Sequence, residues 1–212
     1  MRLAAALVCL LVLSCTKSQD KAAITKYHDN GIVKPAVAIA PIIDTSSFEI
    51  TWSLPEELEQ LLIDRFATKG DIFLSQPSPS FLLAGTENPF GNDLSWIKKS
   101  FASNEFVLFL ELVEHDIVPL KIANDPCANL FIGVRIRIID LRGKEPKLVL
   151  QELIREKYYI SKAALPFDYR KTPWGTEEYT LSPIAMAHVA IIKTIADRAT
   201  DYVLLAKSRW HG

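Results

Sequence analysis

Three strand-like segments follow one another with no helical pattern between them, and this run constrains the fold more than any other feature. From Phe106 to Val113 nearly every residue is apolar, as in a strand buried on both faces and therefore central in a sheet. Leu130, Ile132, Val134, Ile136 and Ile138 then alternate with Phe131, Gly133, Arg135 and Arg137, the period of two that one buried face imposes. Asp140–Leu141–Arg142–Gly143–Lys144 supplies a turn. Lys147 to Tyr159 returns, with a slip of the alternation at Gln151–Glu152 that predicts a bulge. The expectation is a three-stranded antiparallel meander.

Upstream, the apolar run Ala36 to Ile43 reads as a strand. Ser53–Leu54–Pro55–Glu56 then has the chemistry of a helix start, with Ser53 as cap and Glu56 completing a capping box. Leu54, Leu58, Leu61, Leu62 and Phe66 recur at helical spacing, and Gly70 supplies a left-handed stop. Asp71 to Ser75 reads as a second strand, so the domain opens with a βαβ unit whose two strands run parallel. A short helix is expected over Asp93 to Phe101. Ser182–Pro183 caps a last helix reaching about Ala206, with Ile184, Ala187, Ile191, Ile195 and Ala199 on one face. The chain has 212 residues, 49% of them hydrophobic and 23% charged, with a net charge of -1. That suits one domain with a real core, and neither disorder nor a nucleic-acid binder. The expected fold class is α/β (α+β): a single domain built from a βαβ unit, a short helix, the meander and a long C-terminal helix.

The N-terminus specifies an address. Arg2 precedes an apolar stretch from Leu3 to Leu13, too short to span a bilayer, and the polar run Thr16 to Asp20 follows at once. This is a signal-peptide pattern. Val12–Leu13–Ser14–Cys15 resembles the bacterial lipobox, which implies cleavage between Ser14 and Cys15 by signal peptidase II and lipidation of Cys15. An ordinary secretory signal that happens to hold a cysteine is the alternative on the residues alone. The expected organisation is a signal peptide over 1–14, a lipidated Cys15 with a flexible tether over 15–35, and a periplasmic α/β domain over 36–212. Such a tether reaches on the order of 25 Å. Thr16, where an inner-membrane retention rule would want aspartate, favours an outer-membrane anchor facing the periplasm over an inner-membrane one.

The order of elements behind this tether resembles a group of bacterial envelope lipoproteins. They are the curli-secretion channel lipoprotein, the lipoprotein activators of penicillin-binding proteins, and the N-terminal domain of the Tol-Pal propeller protein. The likeness rests on Val37–Ala38–Ile39–Ala40–Pro41 opening the domain, the helix Leu54 to Phe66, and the strand Phe106 to Leu112. It covers roughly Ala36 to Ala206 and carries no diagnostic motif. Ser182–Pro183–Ile184–Ala185–Met186–Ala187–His188 also resembles chlamydial-type uncharacterised lipoproteins. The resemblance implies a non-enzymatic envelope adaptor or assembly factor, or a subunit of an oligomeric secretion channel. Only Cys15 has a role that it carries over.

Residues with chemical potential are few. No Gly-x-Ser-x-Gly elbow, His-Glu-x-x-His motif, glycine-rich phosphate loop or Cys-x-x-Cys pair occurs, so no catalytic residue, metal ligand or cofactor is assigned. His28 falls in the tether and His211 is penultimate. His115, beside Asp116 and four residues after Glu111, reads as a solvated strand end sharing a face with Glu111. His188 reads as a packed helical histidine, and Cys127 as a quiet turn cysteine. A periplasmic hydrolase would have to use His115 or Cys127, and ranks third. Arg135 and Arg137 read as partners of Glu111, Glu152 or Glu156 across the strands, with an anionic ligand as the alternative. The candidate partner surface is aromatic: Phe81 and Phe90 in one proline-rich loop, and Phe167, Tyr169, Trp174 and Tyr179 in another, the alternative being that these loops fold their rings back on the core. The expected partners are the membrane, through an N-terminal acyl anchor, and an envelope protein.

Overall fold

The computed structural model describes residues 25–75, 88–120, 127–161 and 171–209. They form one α+β domain around a six-stranded mixed sheet. Its first helix, α1 (Leu54–Lys69), is bounded by Ser53 and Gly70 as expected, without the return bond from the Glu56 carboxylate to the Ser53 N–H that a full capping box would add. The Ser53 hydroxyl accepts the Glu56 N–H at 3.3 Å, and Pro55 lies in the first turn where no N–H is needed. At the far end Gly70 takes φ 69° and returns its N–H to the Phe66 carbonyl at 2.9 Å. Strand β1 (Ala36–Ile39) precedes the helix and β3 (Phe73–Ser75) follows it, paired in parallel as the βαβ reading expects. The run expected to be one strand to Ile43 is split. Pro41 lacks an N–H for the ladder, and the chain resumes as β2 (Ile43–Asp44). Both pieces lie parallel to β4 (Phe106–Leu120).

Strands β4, β5 (Cys127–Asp140) and β6 (Lys147–Ile160) form the antiparallel meander, and the sheet order is β3-β1-β4-β5-β6 with β2 beside β4. β4 and β5 run further than their sequence signals, pairing from Asp116↔Phe131 out to Leu120↔Cys127. Cys127 is therefore not a turn residue. It opens β5 and is buried. The bulge read at Gln151–Glu152 occurs two residues earlier, where Ile138 pairs Leu150 but Ile139 pairs Leu148, leaving Val149 extra.

A second bulge, in β4, has the larger consequence. Leu112 pairs Val134 but Glu114 pairs Gly133, so Val113 is the extra residue. A Cβ on Gly133 would stand 3.0 Å from Glu114 Cβ and 3.3 Å from Val113 Cγ2. Glycine is what lets the partner strand approach the bulge. Because side chains alternate along a strand, one extra residue exchanges the faces beyond it. Glu111 and His115, four apart, therefore point to opposite sides of the sheet instead of sharing one. His115 is no solvated strand end. It lies in mid-strand and is fully buried.

One sheet face is covered by α1 and α4 (Pro183–Ser208). Ser182 caps α4 by accepting the Ala185 N–H at 3.2 Å. Ile184, Ala187, Ile191, Ile195 and Ala199 all turn inward as expected. They meet Leu58, Leu62 and Phe66 of α1 and the even-numbered side chains Leu130 to Ile138 of β5. The other face carries the short α2 (Ser95–Ser100), which seats Ile97 and the adjoining Phe101 against Ala38, Ala40, Val107, Phe109 and Ile139. A four-residue helix, α3 (Glu177–Thr180), leads into α4 and has no counterpart in the sequence reading. The described chain begins inside the stretch read as tether. From Thr25 it forms a small turn, with Tyr27 bridged to Val33, Gly31 at φ 80° and the Lys34 N–H on the Lys26 carbonyl at 3.0 Å. Signal, Ser14 and Cys15 lie outside the described residues. No described helix is long and apolar enough to cross a membrane.

Candidate functional site

Each helix on the main face carries an ionisable residue in its buried stripe, and the two converge on His115. Glu57 sits on α1 one turn after Leu54 and is 1% exposed; His188 sits on α4 between Ile184 and Ile191 and is 0% exposed. The His188 Nδ1 donates to Glu57 Oε1 at 2.8 Å. The Tyr179 hydroxyl, on α3, donates to the same oxygen at 2.6 Å and stands 3.2 Å from His188 Nδ1. The Trp52 indole N–H donates to the other carboxylate oxygen at 2.8 Å. A buried carboxylate with three donors is satisfied rather than stranded. Burial pushes its pKa up, but His188, Tyr179 and Trp52 together outweigh that and hold it below the ordinary value.

The other edge of the His188 ring faces His115. Their Nε2 atoms are 2.8 Å apart and the rings meet edge to face, with centroids 5.1 Å apart. Phe48 packs on the His115 ring at 4.1 Å between centroids. The remaining nitrogen, His115 Nδ1, is buried without a hydrogen-bond partner. A bare ring nitrogen tolerates that far better than an N–H, so the neutral ring with its hydrogen on Nε2 fits the site. Burial, and then the unfavourable placing of a second positive ring against His188, outweigh a smaller stabilising contact with the His115 backbone and push the His115 pKa down to about 3.

A carboxylate orienting one imidazole that bonds a second is an acid–base arrangement in its parts. Its burial removes the use: every ring and carboxylate atom is covered, so no substrate reaches it. The described residues include no group of three or more His, Cys, Asp or Glu that could hold a metal ion. The cluster ties α1, α3, α4 and β4 together at one point.

The sequence-selected residues are placed differently from one another. Phe90 packs half-buried against the α2 face, with the Arg135 guanidinium 5.3 Å from its ring centroid. Arg137, read as a cross-strand ion-pair partner, is instead buried and donates from Nη1 to the carbonyls of Pro89 and Gly91, both at 2.7 Å. Arg135 does pair Glu111, at 2.9 Å. Tyr179, expected at a partner surface, is 2% exposed and belongs to the buried cluster. Short helix α3 turns its ring inward onto Glu57, where the ring also meets Trp52 edge-on at 5.0 Å. Trp174 is half-buried, while Phe81, Phe167 and Tyr169 lie outside the described residues. Glu57 went unnoticed in the sequence, although an acid at that place in the Leu54–Leu58–Leu61 stripe was the available signal.

The sequence from 23 to 207 matches the model of a protein family described as a family of unknown function, DUF7499. The chain belongs to the DUF7499 family. Glu57, His115, Tyr179 and His188 all fall within the matched residues. No curated protein matches this DUF7499 member. Among solved structures it is similar to the hypothetical protein CT253 from Chlamydia trachomatis, at 22% identity and a TM-score of 0.67. That match covers 81% of this chain and 98% of the chlamydial one, and it shows a shared fold. The lipoprotein GNA1162 from Neisseria meningitidis is more remote, at 11% identity and a TM-score of 0.40, over 77% of this chain and 99% of that one. A likeness of that size carries no argument.

Proposed function

We propose that this protein is a membrane-anchored, non-enzymatic lipoprotein of the bacterial envelope, acting as an adaptor or assembly factor through protein–protein contacts. The anchor is Cys15, and the outer membrane facing the periplasm is its expected location. The observation that supports an adaptor is the contrast around the buried cluster. Its acid–base groups are sealed, while Leu181, Met186 and Val189 beside it are 74%, 63% and 54% exposed. Met186 and Val189 lie three apart on α4 and so stand side by side on its exposed side. This pair replaces the buried Tyr179 and joins the half-buried Phe90 and Trp174 as the described part of the partner surface.

The test is in-cell crosslinking from a photoreactive residue at position 186, with Cys15→Ser as the unanchored control. One dominant foreign product, lost in the control, supports the adaptor. A ladder of self-products favours the oligomeric reading. That second reading has its own support: β6 ends the sheet with no strand beyond it among the described residues, and Leu148, Leu153 and Tyr159 on it are exposed. Products unchanged by Cys15→Ser would count against the anchor.

A further inference from the structure

The Glu57–His188–His115 cluster has no access to substrate, yet it gathers residues from four elements. His115 comes from β4, Glu57 from the first turn of α1, Tyr179 from α3 and His188 from the second turn of α4. The two imidazoles meet Nε2 to Nε2 at 2.8 Å, so one hydrogen fits between them and two do not. We propose that this cluster is an acid-released latch. It holds α3 and the first two turns of α4 against α1 and β4 while the rings share one hydrogen, and it releases them when each ring carries its own.

The surroundings leave little room for a second charge. From α1 the facing group is the Glu57 carboxylate, and from α3 the Tyr179 hydroxyl. The segment before α1 presents the uncharged rings of Phe48 and Trp52. β5 presents Ile132, and β6 presents Glu156 across it in the same row. Glu156 stands about 10 Å from His115 at the usual spacing of strands. Glu114 and Asp116, which flank His115 on β4, and Glu111 lie on the opposite face; Glu111 and Glu114 pair with Arg135 and Arg155, and Asp116 is exposed. Among the described residues Glu57 is thus the one buried anion beside the rings, enough to balance one imidazolium.

The direction of the effect follows from proton counting. Once released, His115 takes a proton near the ordinary histidine value of about 6.5, whereas in the closed pair the single Nε2–Nε2 hydrogen keeps its ring neutral. Release therefore takes up at least one proton below about pH 6, and the release constant rises about tenfold for each unit of acidification. The depressed His115 pKa has the same sign. The closed state keeps its full advantage above pH 6.5 and loses it as the pH falls toward 3. The lowered Glu57 pKa adds to the loss only below its ordinary 4.5.

The measurement is hydrogen–deuterium exchange of the full chain in detergent from pH 7.0 to 4.5, each peptide's rate divided by its intrinsic rate at that pH. Peptides over 177–192 are expected to open about tenfold more per unit between pH 6 and 4.5, while those over 130–140 stay protected. His115→Gln keeps a neutral hydrogen-bonding group against His188 and does not titrate. It should reduce the dependence to less than threefold over the whole range. Equal slopes in the two proteins, or unchanged protection of 177–192 at pH 4.5, would overturn the latch. If His115→Gln fails to fold, 13C-labelled histidine in the native protein decides. The latch expects the His115 signal to keep its neutral shift below pH 5 for as long as 177–192 stays protected. Titration near 6.5 with that segment still closed would exclude it. None of these outcomes depends on the anchor or on an adaptor role.

Discussion

The two faces of the sheet are closed in different ways. On one, α1 and α4 bury a continuous apolar layer threaded by a polar chain, Trp52–Glu57–His188–His115, whose members bond one another. On the other, short α2 and the 88–94 segment cover a smaller apolar patch and are fastened by cations to backbone carbonyls: Arg137 to Pro89 and Gly91, and Lys98 to Gly143 and Lys144. The first arrangement is unforgiving, because each group depends on a partner with no water to replace it. In the second, Arg137 is buried but bonds two separate carbonyls, and Lys98 lies near solvent, which can take over a lost contact. Polar groups inside the helix-covered face should therefore matter more than the cations on the other.

Removing Glu57 tests this most severely. Glu57→Ala leaves the Tyr179 hydroxyl, the Trp52 indole N–H and the His188 Nδ1 hydrogen without their acceptor. Denaturant unfolding at pH 7 should show a loss of about 3–5 kcal/mol. His115→Ala removes a ring packed on Phe48 and bonded to His188, and should cost about 2–4 kcal/mol at pH 7. That difference from the native protein should shrink by about 1.4 kcal/mol per unit as the pH falls below 6, because the native protein then loses stability by keeping His115 neutral. A hydrolase that used His115 would instead lose activity with its stability intact.

Gly133→Ala probes the bulge that put His115 on the helix face. Its new Cβ must move Glu114 or Val113, and a loss of about 1–3 kcal/mol is expected. On the opposite face Arg137→Met should cost about 1–2 kcal/mol globally, with the larger change seen as faster amide exchange over 88–94. Smallest of all is Arg135→Ala. Its pair with Glu111 is 42% exposed on the arginine side, and about 0–1 kcal/mol is expected. If Arg137→Met proved costlier than Glu57→Ala, the contrast between the faces would be wrong.

Much of the fold was legible because local chemistry and the global arrangement agree. Ser53, Pro55 and Gly70 bound α1, Ser182 and Pro183 start α4, and the alternation from Leu130 to Ile138 is that of β5. What escaped the reading shares one cause. The Val113 bulge follows from how β4 lies against Gly133, a residue twenty positions further on, and no window around Glu111 to His115 contains that information. Without the bulge, His115 reads as a partner of Glu111. With it, the ring enters the core.

The buried cluster is likewise a product of assembly. Glu57, His115, Tyr179 and His188 stand on four different elements, and each alone looks like a surface acid, a strand end, an aromatic loop residue and a packed helical histidine. Periodicity determined which residues each helix and strand turns inward, because a buried stripe is a property of one element. Only the tertiary structure decided that three of those elements set a carboxylate and two imidazoles in one line, since a hydrogen bond between distant residues exists only once packing has brought them within 3 Å.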